Sequence, residues 1–107
     1  MLQNATKCGS AADPDQAMLF AIIGYDGPDG ASLRPKVRES HLANLRQLAA
    51  RGKVSIAGPF ADGSGSLIIV DMESEAEALA FANSDPYVTQ GVFERVEVRP
   101  FRRVFPE

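Results

Sequence analysis

Several residue types are nearly missing from this 107-residue chain, and each absence closes a class of function. A single cysteine, Cys8, excludes an internal disulfide and any thiolate-cluster metal site. One histidine, His41, cannot build a zinc centre with that distant cysteine, and the acidic residues show no EF-hand spacing. No apolar run approaches the ~20 residues that span a bilayer. An excess of basic charge is also lacking: the net charge is −3 and argues against nucleic acid as the main partner. The segments GPDG and DGSGS have neither the pattern nor the strand-to-helix placement of a phosphate loop. There is no G-x-S-x-G nucleophile elbow.

What is present is an ordinary globular composition, 45% hydrophobic and 23% charged, enough for one domain with a modest core. Residues 1–17, MLQNATKCGSAADPDQA, have no apolar periodicity and no basic start followed by an apolar run. They are expected to be a flexible N-terminal extension that carries Cys8, ahead of a domain over 18–105. A cytoplasmic location is the corresponding expectation.

From Met18 onward two periodicities alternate. MLFAIIGY (18–25) predicts a strand that ends in the turn-rich DGPDG. LRPKVRESHLANLRQLAARG (33–52) predicts a helix with Val37, His41, Leu45 and Leu48 at helical spacing and Gly52 as its stop. KVSIAGPF (53–60) and SLIIVDM (66–72) predict a hairpin around ADGSG. SEAEALAFANS (74–84) predicts a helix capped by Ser74, with Glu77 completing a capping box. GVFERVEVRPFRRVF (91–105) predicts a last strand, bent or ended at Pro100.

The order is βαββαβ, an α+β ferredoxin-like unit with a four-stranded antiparallel sheet and two helices on one face. The first strand has Leu19, Ala21 and Ile23 on one side and Phe20 and Ile22 on the other, all apolar. In the third strand Ile68 and Val70 oppose Leu67 and Ile69 in the same way. A sheet with one face in water should alternate apolar with polar residues. The second face therefore needs a cover, and a second copy packed sheet against sheet is the simplest.

Arg38-x-x-His41-Leu42, Gly52, Ala57-Gly58-Pro59, Gly65-Ser66-Leu67, Asp85-Pro86-Tyr87 and Gly91-Val92 follow one another in an order that resembles the YciI-like (YCII-related) family, from about Met18 to Phe105. The resemblance implies a ferredoxin-like subunit that dimerises through its sheet as a dimeric α/β barrel. It also implies a His/Asp pair in a pocket, at His41 and Asp85. A few relatives act on chlorinated or hydroxylated aromatic breakdown products, and similarly folded isomerases act on lactones.

Each candidate has a plainer reading beside the functional one. His41 shares the inward face of Val37 and Leu45 and could be a core histidine with satisfied ring nitrogens. Its imidazole is also the side chain whose ordinary titration range brackets neutrality, which suits proton transfer. Asp85 before Pro86 is a good helix or turn start; its carboxylate could equally orient His41, or do both. Arg38, one turn before His41, could pair with Glu39 or Asp29, or could offer its planar fork to a ligand carboxylate or phenolate. Gly58 and Pro59 could end a strand, or leave room for a ligand beside the backbone. Tyr25 and Tyr87 are candidate pocket walls. The basic cluster Arg99, Arg102 and Arg103 reads better as a solvated edge than as an anion site. The resulting expectation is a small cofactor-independent enzyme in which a His41–Asp85 pair moves a proton on an aromatic- or lactone-derived substrate. A non-catalytic dimeric module binding a small molecule in the same pocket is the alternative.

Overall fold

A computed structural model describes residues 18–106. The expectations about residues 1–17, including Cys8, lie outside the described residues. The elements run β1 (Leu19–Asp26), α1 (Gly30–Ala50), β2 (Val54–Pro59), β3 (Gly65–Asp71), α2 (Glu75–Ser84), α3 (Pro86–Thr89) and β4 (Phe93–Phe101). The strands form one antiparallel sheet in the order β2-β3-β1-β4. This is the α+β ferredoxin-like arrangement that the periodicities predict, with a third, one-turn helix added. No helix among the described residues is long and apolar enough to cross a membrane.

α1 starts three residues earlier than the sequence spacing predicts, so Pro35 lies inside it. A proline removes one backbone donor, here the partner of the Ala31 carbonyl. Ala31 is exposed, and water can serve that carbonyl in place of the helix. At the other end Gly52, at φ 73°, takes the left-handed turn that stops the helix, and its N–H donates to Ala49 O. In α2 the Ser74 hydroxyl accepts from Glu77 N as expected, while the Glu77 carboxylate accepts from Glu73 N, one residue outside the usual capping box. β4 ends at Phe101, one residue beyond Pro100. The proline is tolerated there because β4 is an edge strand.

Cross-strand register assigns the faces. Phe20, Ile22, Ile68 and Val70 pack with Leu45, Leu48, Ala78 and Ala82 as the core between sheet and helices. Leu19, Ala21 and Ile69 cluster on the opposite side, with Leu67 against them. Both faces are thus apolar, and the second has no described helix on it.

Candidate functional site

α1 carries a stripe at helical spacing, Arg34, Arg38, His41 and Leu45, along one side of a cavity of about 200 Å³. Ala57, Gly58 and Pro59 of β2 border it opposite, Ser66 and Ile68 form part of its floor, and Tyr87 closes one end.

Asp85 is the hinge of this arrangement. Its extended backbone caps α3, and Pro86 takes the first helical position, where a missing N–H costs nothing. Asp85 Oδ1 accepts from Tyr87 N at 2.8 Å and also lies 2.8 Å from His41 Nδ1; Oδ2 is 3.0 Å from the same nitrogen. The carboxylate therefore caps the helix and holds the histidine at once. Both residues are buried, His41 at 7% exposure and Asp85 at 2%. An ionised carboxylate only accepts, so Nδ1 carries the proton of this contact. In the neutral ring Nε2 then bears the lone pair. No described residue hydrogen-bonds to Nε2, and His41 borders the cavity.

The Tyr87 ring lies parallel to the His41 imidazole, with centroids 3.9 Å apart and planes 5° from each other. Phe93 meets Tyr87 edge-on at 81°. Burial pushes the Tyr87 phenol above its ordinary value of 10.0, although the Arg34 and Arg38 guanidinium groups pull the other way. A group with a raised pKa in the folded state adds stability below its unfolded pKa and loses it as pH rises through the folded one. Chemical denaturation between pH 9 and pH 11 should therefore show stability falling more steeply in the natural protein than in Tyr87→Phe. Equal slopes would contradict this placement of the phenol.

Arg34 is the residue that sequence reasoning missed. Its Nε and Nη2 donate to the two Asp26 oxygens at 2.7 and 2.8 Å, and Nη2 donates to Ser66 Oγ at 3.0 Å. The bond to Asp26 raises the Arg34 pKa further. A helical repeat from Arg38 back to Arg34 was the available signal, but its partners lie 8 and 32 residues away and carry no local pattern.

Arg38 borders the cavity, and neither expected partner holds it: Glu39 is paired with Arg46 at 2.8 Å, and no described ion pair joins Arg38 to Asp29. Pro59 pairs with Ser66 and so stands on the cavity side of the sheet. Two expectations need correction. Gly58 pairs with Leu67, so a side chain there would leave by the opposite face; it borders the cavity with its backbone and does not make room by lacking a Cβ. Tyr25 does not border this cavity. Strand alternation places it with Leu19, Ala21 and Ile23 on the far face, where its hydroxyl donates to Glu97 and Arg95 covers its ring. Arg99 sits 3.7 Å from Glu97 on the same side.

These features define a class: small ferredoxin-like proteins with a carboxylate-held histidine facing a cavity between α1 and the sheet. The family model described as YCII-related domain matches residues 18–102. The chain belongs to this YciI-like family. It is 40% identical over 98 residues to Protein YciI of Escherichia coli O6:H1, covering 82% of this chain and all of that one. An uncharacterized protein of Haemophilus influenzae is 38% identical over the same coverage. Among solved structures, 5-chloro-2-hydroxyhydroquinone dehydrochlorinase from Burkholderia phenoliruptrix AC1100, in complex with 2,5-dihydroxybenzoquinone, is similar with a TM-score of 0.72 and 30% identity. That match covers 80% of this chain and 95% of the other.

Proposed function

We propose that the protein is a cofactor-independent acid–base enzyme in which His41, oriented by Asp85, moves a proton on a small hydroxylated or carboxylated ring compound. The observation that carries the reading is a histidine whose Nδ1 is held at 2.8 Å by a buried carboxylate and whose Nε2 has no hydrogen-bond partner among the described residues. Such an imidazole takes a proton at Nε2 and returns it at the same atom, with the developing positive charge stabilised by Asp85. Isomerisation, lactone chemistry or loss of a leaving group next to an ionised hydroxyl all need this step. The dehydrochlorinase supports the last of these, since a similar fold holds a dihydroxybenzoquinone. Arg38, with no ion pair among the described residues, is the cation that would meet a phenolate or carboxylate.

The probe for this reading is 2,5-dihydroxybenzoquinone. Arg38→Gln should weaken its binding about tenfold or more, the worth of one charge-assisted hydrogen bond. Unchanged affinity would remove Arg38 from the site. The rival reading is a binding module that uses the same cavity without turnover. It predicts affinity for the quinone and no conversion of chlorinated hydroquinones or lactones.

The doubly apolar sheet supports a homodimer formed face to face through Leu19, Ala21, Leu67 and Ile69. Light scattering of residues 18–106 should give the mass of two chains. Ala21→Asp, which sets a charge at the centre of that face, should reduce it to one. A natural protein that scatters as a monomer would refute the pairing.

A further inference from the structure

We propose that Arg34 is a positioning residue: tied to Asp26 and Ser66, its guanidinium fixes Tyr87, and the Tyr87 ring in turn fixes the plane of the His41 imidazole. This rests on His41 being the working group of the cavity. Asp85 restrains the ring at one edge only, since both carboxylate oxygens meet the same nitrogen. A parallel ring at 3.9 Å adds a restraint on its face and narrows the small rotations about Cβ–Cγ that would displace Nε2. A stack orients only if the stacking partner is itself held. Tyr87 is held by Phe93 at its edge and by Arg34, whose Cζ lies 5.1 Å from the Tyr87 centroid and 5.7 Å from that of Phe93.

Arg34 suits this role better than that of a ligand anchor. Asp26 already neutralises it bidentately, whereas Arg38 one turn later has no such partner among the described residues. Seven residues separate Arg34 from His41, a rise of roughly 10 Å along the helix, so the influence must pass through Tyr87. The backbone is also cleared for this brace. A Cβ on Gly30 would lie 2.6 Å from Asp26 Oδ2, and one on Gly24 would lie 2.3 Å from the Phe93 ring. Both distances are impossible for real side chains, so only glycine lets the carboxylate and the ring come this close.

The test uses the only histidine of the chain, whose ring protons can be assigned in NMR spectra without ambiguity. Stacking on Tyr87 displaces them upfield by ring current, and Tyr87→Leu marks the position without the stack. Arg34→Gln and Asp26→Asn should each move the His41 ring protons toward the Tyr87→Leu position in ligand-free protein. The affinity for 2,5-dihydroxybenzoquinone should change far less than in Arg38→Gln. If either variant fails to fold, Ser66→Ala, which removes one tie, should produce a smaller shift in the same direction. His41 resonances that stay in place in folded Arg34 or Ser66 variants overturn the proposal, whatever happens to affinity. Because the signal is read without ligand, a failure of the brace is distinguishable from a failure of His41 to act in catalysis.

Discussion

Changing His41 to glutamine should lower turnover of a converted ring substrate by about 10²–10⁴-fold, the usual worth of a positioned acid–base group. Binding of 2,5-dihydroxybenzoquinone should stay within a few-fold, because the amide fills similar space and Arg38 is untouched. The contrast is the informative part. Loss of binding together with turnover would make His41 a ligand contact, and unchanged turnover would make it a core residue. Asp85→Asn should fall between these limits. It retains an oxygen to accept from Tyr87 N but removes the charge that stabilises the protonated ring. A variant with full turnover would show that the carboxylate serves the helix alone.

The largest stability loss is expected from Asp85→Ala. Removing a helix cap costs about 0.5–2 kcal/mol. The same change leaves the buried His41 Nδ1–H without an acceptor, which costs a further 1–3 kcal/mol or so. A combined loss of roughly 1.5–5 kcal/mol should lower Tm by roughly 5–20 °C in a domain of this size. Calorimetry checks it directly. A loss below about 0.5 kcal/mol, the scale of ordinary surface changes, would mean that water or a rotated imidazole replaces the carboxylate at little cost. Asp85→Asn should lose much less, since one oxygen remains to accept from both Tyr87 N and His41 Nδ1 and only the negative charge is gone.

The double duty of Asp85 also bears on how the site is built. Its two oxygens bind a backbone N–H of α3 and a ring of α1. Closing the pair therefore docks the two helices, and Tyr87, two residues beyond Asp85, arrives against His41 as a consequence of the same turn. Function and folding stability share this residue, so a rise in stability by substitution at Asp85 is not available without loss of the pair.

Local pattern was sufficient to read every strand, the two long helices and the inward face of α1. Apolar period, glycine stops and serine caps act over a few residues, and their physics is contained in the segments themselves. It also identified two apolar faces of β1 and β3, because alternation is a property of a single strand. Alternation groups Tyr25 with Ala21 but cannot tell which face the helices take; the packing of α1 and α2 on Phe20 and Ile22 puts both residues on the far side. The one-turn α3 escaped notice because four residues carry no period, although Asp85-Pro86 marked its start. The spacing of His41 on α1 showed that its ring points inward, while the partner 44 residues away was named only through family resemblance. The Arg34–Asp26–Ser66 brace was legible in neither way. Its members lie on a helix, a strand end and a neighbouring strand, and only the antiparallel pairing of Gly24 with Ser66 brings them to one end of the cavity.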